Sequence, residues 1–249
     1  MVLLPVVDLD PDLAALRPLG GFFLLRTTGA PPVRLPTLAQ AYEGKRTDVY
    51  GDPLNFRVAK VAVGIQATEV RVAASVAHLG LAARLWSVAL ACAVLYDCIP
   101  DLDPRLLHWD PDGSAPDELR PAAVRPRPAD SLSSQIVDEH LAPLEDALRA
   151  RYRIAPGLLR GNAASALAGA AGQLDRWARA AGRTDAAERA RALTAGLLRH
   201  PRLAGAGTLT GTAFRRRSCC LYYRVPGGGV CGDCCLVSPP QSSPGASSG

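Results

Sequence analysis

Between residues 56 and 97 the chain is apolar on nearly every side, and no proline interrupts it from Leu54 to Ile99. The run "TEVRVAASVAHLGLAARLWSVALACAVLYD" lacks the polar stripe of a surface helix and predicts buried helix, with Gly80 predicting a break into two. A second helical pattern is clearer. In "APGLLRGNAASALAGAAGQLDRWARAAG" the residues Leu159, Ala163, Leu167, Ala170, Leu174 and Trp177 recur every three or four positions, the spacing that places them on one helix face. Ile136, Leu141, Leu144 and Leu148 keep the same spacing after serines suited to capping, and Pro143 must kink that helix or start another. "TDAAERARALTAGLLRH" predicts one more helix, stopped by Pro201.

The remaining segments are punctuated. Residues 1–55 carry seven prolines and predict short strands, turns and a helix, with "GGFFLLRT" (20–27) as a strand. Residues 99–130 predict a crossover loop or a strand pair, with "LLHW" as a strand before a "DPDG" turn. "LAGAGTLTGTAF" reads as a glycine-rich hinge and "VSPPQSSPGASSG" as a disordered tail. The fold class that follows is α+β: a mostly helical body with a small mixed N-terminal region and a C-terminal cysteine-rich loop. The expected division is a body over 1–210, a cysteine segment over 211–236 and the tail over 237–249.

Nearly half of the 249 residues are apolar, enough for a core without disulfide staples. The net charge of +5 is mild, lysine occurs only at positions 45 and 60, and no basic run interleaves with aromatics, which speaks against a nucleic-acid binder. The N-terminus has no basic start, and Asp8 and Asp10 follow soon after, so no signal peptide is expected. The longest apolar stretch, 85–96, is too short to span a bilayer and is flanked by Arg84 and Asp97. The expectation is a cytoplasmic protein with no transmembrane segment, where clustered cysteines serve metal or redox chemistry more often than structural disulfides.

Five of the seven cysteines fall within the seventeen positions from 219 to 235. A vicinal pair, Cys219 and Cys220, is followed after ten residues by Cys231, then by Cys234 with Cys235 beside it. Two pairs at loop distance supply four soft ligands, suited to tetrahedral zinc or to an iron–sulfur cluster. Structural zinc usually separates each pair by two to four residues. Adjacent side chains on extended backbone point to opposite sides, so Cys219 and Cys220 need either a bent backbone or two metal atoms to receive them, which favours a two-iron cluster. Three glycines, 227–229, allow close backbone approach and bare N–H groups toward sulfide.

The run "RRSCCLYYRVPGGGVCGDCCL" resembles the C-terminal signature of the FhuF-like ferric-siderophore reductases, C-C-x10-C-x2-C, and "VAASVAHLGLAARLWS" and "RGNAASALAG" resemble that family's helical segments more loosely. The resemblance implies a [2Fe–2S] cluster on Cys219, Cys220, Cys231 and Cys234, with Cys235 outside the four-cysteine pattern. It implies one-electron reduction of siderophore-bound Fe3+ to Fe2+, which oxygen donors hold far more weakly. The electron then comes from a separate donor, a ferredoxin, flavodoxin or reductase, because no nucleotide-binding fingerprint is present. The rival reading is a non-enzymatic interaction protein in which the same cysteines hold structural zinc.

Arg215, Arg216 and Arg217 are candidates for a basic rim that attracts anionic chelates. Tyr222, Tyr223 and Arg224 are expected to pack the cysteine loop against the body. His78 is expected to be a satisfied core histidine, Cys92 and Cys98 structural thiols, and Asn162 and Ser165 part of a close helix contact.

Overall fold

The densest apolar run becomes the centre of the molecule. In a computed structural model that describes residues 9–10, 12–29 and 34–240, helix α3 (Val70–Leu95) is sheathed by α2 (Pro53–Gly64), α5 (Pro156–Ala180) and α6 (Thr184–Leu197). The α5 stripe of Leu159, Ala163, Leu167, Ala170 and Leu174 is buried as the spacing requires. Its alanines let the α3 and α5 backbones approach closely. Each leucine buried there contributes about 1.5–3 kcal/mol by removal from water.

The break expected near Gly80 lies elsewhere. α3 runs unbroken through Gly80, and the interruption falls between Gly64 and Val70, where Gln66 takes a left-handed φ of 52°. A lone helical glycine costs only about 1 kcal/mol, which the packing around α3 outweighs. The continuous helix has 26 residues and is long and apolar enough to cross a membrane, contrary to the reading of 85–96 alone. Its apolar surface is covered by protein instead, and most of its residues are buried.

Residues 20–27 do not form a strand. Gly21–Phe23 is a single 3₁₀ turn, followed by extended chain. The reason is Arg84, which is no flanking charge but a buried member of α3. Its guanidinium donates to the carbonyls of Gly21 (3.2 Å), Phe22 and Leu24 (2.7 Å) and pairs with the buried Glu118 at 2.7 Å. A side chain takes the carbonyls that a neighbouring strand would have taken.

Residues 98–128 form two ribbons. β1 (Cys98–Pro100) pairs antiparallel with β4 (Pro126–Pro128), and β2 (Leu107–Trp109) with β3 (Leu119–Pro121). Prolines are tolerated because two-stranded ribbons are all edge. In the N-terminal region the described residues hold helix α1 (Leu38–Glu43), closed by a Thr37–Gln40 capping box, and isolated bridges rather than strands. The serines after Pro128 do not cap. Ser131 Oγ donates back to Pro128 O and Ser134 Oγ to Ser131 O. A π-helix (Ser134–Leu141) follows, and α4 (Ala142–Arg151) begins with Pro143 in its first turn, where its missing N–H is harmless.

The glycine-rich "hinge" is a hairpin. β5 (Gly207–Thr210) pairs with β6 (Ala213–Arg216) across a two-residue turn in which Gly211 has φ 62°, the positive φ such turns demand. Most of the tail expected over 237–249 lies outside the described residues, as do residues 1–8.

Candidate metal centre

Strand β6 delivers the chain to the cysteines, and its alternation sorts the three arginines. Phe214 and Arg216 point inward, while Arg215 and Arg217 face solvent. Of the three residues expected to form a basic rim, Arg215 and Arg217 are exposed and Arg216 is not. Arg216 is only 2% exposed. Its Nη2 donates to Asn162 Oδ1 at 2.6 Å and to Leu158 O at 3.3 Å, both on α5. It crosses α5 at Gly161, where a Cβ would clash with Ser218 Oγ and lie 3.0 Å from Arg216 Nη2.

A buried polar relay extends from this point. Asn162 Nδ2 donates to Ser75 O at 2.8 Å, and Ser75 Oγ donates to Cys220 O at 2.8 Å. Ser165 Oγ donates to Asp233 Oδ2 at 2.5 Å, and the Arg216 amide to Asp233 O at 2.9 Å. Ser218 Oγ donates to Gly157 O. Thus α3 holds the first cysteine pair, and α5 with β6 holds the second. Asn162 and Ser165 do more than permit close helix contact: they fasten the cysteine segment to the body. Their pairing with residues 54 to 87 positions away in sequence leaves no local signal.

The loop between the pairs is anchored at its edge by Arg224, bonded to Glu69 at 2.7 Å at the start of α3, and by the buried Val225. Arg224 also lies over the Tyr223 ring. The Glu69 carboxyl is held below its usual range by its bonds to Arg224 and Arg71. Gly228 closes the loop over the backbone of Tyr222 and Val225, where a Cβ would collide with the Tyr222 carbonyl.

The five cysteines of the segment form no disulfides with one another. Cys220 Sγ and Cys231 Sγ are 3.6 Å apart. That is far longer than the roughly 2.05 Å of a disulfide and close to the edge of about 3.8 Å that two sulfurs make on one tetrahedral metal with bonds of about 2.3 Å. Two backbone amides point at the other two sulfurs: Leu221 N at Cys219 Sγ and Leu236 N at Cys234 Sγ, each at 3.3 Å. Such N–H groups stabilise thiolate charge and tune an iron–sulfur potential. Cys235 has no such amide among the described contacts; its carbonyl accepts from Arg215 at 3.5 Å. Among the described residues no group of three or more His, Cys, Asp or Glu is drawn together tightly enough to hold a single ion. Burial pushes the Cys231 thiol up to about 12, with the adjoining Cys220 adding to it, and burial raises Cys219 as well. A bound cationic centre reverses that balance and holds the sulfurs as thiolates. By donor chemistry, by the paired spacing and by the amides, these residues fit an iron–sulfur centre.

His78 lies one helical turn beyond Ser75 on the same side of α3. It is buried, and neither ring nitrogen has a hydrogen-bond partner among the described residues, so the expectation of a satisfied histidine is corrected. Burial, with the nearby Arg216 charge, lowers its pKa from 6.5 to about 3, and burial lowers His140 to about 4. Both are neutral in the fold, while the unfolded chain takes up their protons below about 6.5. Their stabilising contribution is thus complete above pH 6.5 and is lost as pH falls toward 4 and then 3. Unfolding free energies from urea titrations between pH 7.5 and 5 are expected to fall, by roughly 2 kcal/mol per histidine at pH 5, and His78→Leu to flatten that slope.

Residues 216–236 match the FhuF 2Fe-2S C-terminal domain. The match begins at the buried Arg216 and ends at Leu236, whose amide faces Cys234, and it indicates a [2Fe–2S] cluster as the cofactor. This sets aside the zinc reading. None of the curated proteins and none of the solved structures matches the chain significantly.

Proposed function

From the premise that residues 216–236 form a FhuF 2Fe-2S C-terminal domain, we propose that this protein is a ferric-siderophore reductase. It converts siderophore-bound Fe3+ to Fe2+ by one-electron transfer and so releases the iron. The observation that carries the reading is that this domain sits at the molecular surface, with Cys219, Cys231 and Cys234 only half buried. A [2Fe–2S] centre exchanges one electron at a time, the stoichiometry of Fe3+ + e⁻ → Fe2+. No general acid or base is needed.

The proposed ligands are Cys219, Cys220, Cys231 and Cys234. The Cys220–Cys231 spacing supports these two sharing one iron. The amides on Cys219 and Cys234 support their carrying thiolate charge, and favour Cys234 over Cys235. Arg216 supplies buried positive charge at the start of the segment that carries this tetrathiolate. Among the described residues no carboxylate pairs with it, and its Nε and Nη1 have no partner; an unpaired buried cation is costly, and the anionic centre offsets it. The remaining chain to residue 210 serves as the body that fixes the segment. The protein acts in the cytoplasm and is recharged by a separate one-electron donor, a ferredoxin, flavodoxin or reductase.

The test is anaerobic. Dithionite-reduced protein, freed of excess reductant, is mixed with ferric siderophores. The reading requires that visible absorbance return as Fe2+ appears in a ferrous trap, one iron per electron. Reduced protein that no ferric chelate re-oxidises contradicts it.

A further inference from the structure

A cavity of about 400 Å³ opens beside the cysteine segment, lined by Arg71, Arg153, Ile154, Leu158, Ser218 and Cys219. The first turn of α3 contributes Arg71, and the chain entering α5 contributes Arg153, Ile154 and Leu158. Cys219, half buried, forms part of its wall. The volume lies at the lower end of the range of about 300–1,000 Å³ for small-molecule sites. It accommodates one face of a metal chelate and leaves the rest in solvent.

The charge around the mouth is unbalanced. Arg153 is exposed and forms no ion pair among the described residues. Arg71 shares the single carboxylate of Glu69, at 2.6 Å, with Arg224 at 2.7 Å. Three guanidiniums therefore face one carboxylate. The wall behind them is apolar: Ile154, Ala155, Leu158 and Leu221. Guanidinium planes fork onto carboxylate and phenolate oxygens and lie flat on aromatic rings. An anionic ligand placed beside a thiolate-ligated centre is repelled unless cations stand close by, and Arg71 and Arg153 line the same cavity as Cys219. A neutral ligand has no use for them.

We propose that this cavity is the docking site for the ferric chelate, and that it selects chelates of net negative charge, whose Fe3+ is held by carboxylate or catecholate oxygens, over neutral trihydroxamates. The proposal rests on the reading of Cys219 as a cluster ligand and of the protein as a ferric-chelate reductase. It moves the substrate from the hairpin arginines to the cavity whose wall includes Cys219.

Gallium(III) chelates test it, because Ga3+ binds the same donors and is not reduced. Binding of gallium citrate, a gallium tris-catecholate and a neutral gallium trihydroxamate to the cluster-loaded full chain is measured by calorimetry. The expected result is at least tenfold tighter binding of one or both anionic chelates, weakening with salt. Arg153→Gln and Arg71→Gln are each expected to lower that affinity several-fold, and Arg199→Gln, an exposed arginine after α6, to leave it unchanged. Arg153 is exposed and unpaired, so its loss does not endanger the fold. The citrate and catecholate arms separate the two anionic donor types. Equal affinity for the neutral chelate, or anionic binding indifferent to both Arg153→Gln and Arg71→Gln, overturns the proposal. Re-oxidation by the corresponding ferric chelates is read separately. Arginine-dependent gallium binding without re-oxidation upholds the cavity as a binding site and fails the reductase reading. Re-oxidation that ignores both arginines fails the cavity and spares the reductase reading.

Discussion

Cys231→Ala protein is expected to purify colourless, with cluster iron and acid-labile sulfide reduced at least tenfold, while Cys235→Ala keeps the wild-type content. Cys231 sits 3.6 Å from Cys220, at the spacing of two sulfurs on one metal, so its loss removes half of one iron's thiolate set. Cys235 lacks the amide contact that Leu236 gives to Cys234. The Cys219→Ala and Cys234→Ala variants are expected to follow Cys231→Ala. Because Cys231 is half buried and its loop is also held by Ser165, Asp233 and Arg216, the helical body is expected to stay folded, with far-ultraviolet circular dichroism unchanged. Cluster loss in Cys235→Ala with retention in Cys234→Ala is the outcome that reverses the assignment.

The second large effect concerns Arg216. Replacing it by methionine is expected to make the cluster's midpoint potential more negative by about 60 mV. For one electron, a coupling of about 1.4 kcal/mol between a buried charge and the added electron corresponds to about 59 mV. The sign follows from charge: reduction adds a negative charge that a nearby guanidinium stabilises. Arg216→Lys is expected to keep most of the potential while altering the Nη2 contacts to Asn162 and Leu158. A residue that merely braces the hairpin would change thermal stability in both variants and leave the potential within about 20 mV of wild type. Protein voltammetry distinguishes the two.

What could be read from the chain divides along the range of the interactions. The α5 stripe from Leu159 to Leu174 and the start of α4 at Pro143 are set by neighbours within a turn or two, and both appear as expected. The cysteine spacing is equally local, and it led to the cluster. Arg84 was misread as a flank because its partners, the carbonyls of residues 21–24 and Glu118, lie roughly 35 to 60 positions away. The same turn accounts for the missing strand at 20–27. Arg216 looked like the middle of a basic rim. Only the alternation of β6 turns it inward, and β6 was hidden by the glycines that form the hairpin turn. Ser75, His78 and Gly161 belong to the site through α3 and α5 faces whose composition looks like ordinary core.

The measurement that bears most directly on the whole account is the visible and EPR spectrum of anaerobically purified protein before and after dithionite, with iron and sulfide quantified. The account predicts two irons and two sulfides per chain, absorption between roughly 400 and 600 nm that bleaches on reduction, and an S = ½ signal from the reduced state. A colourless protein that takes up one zinc, and forms no cluster on reconstitution, would contradict it.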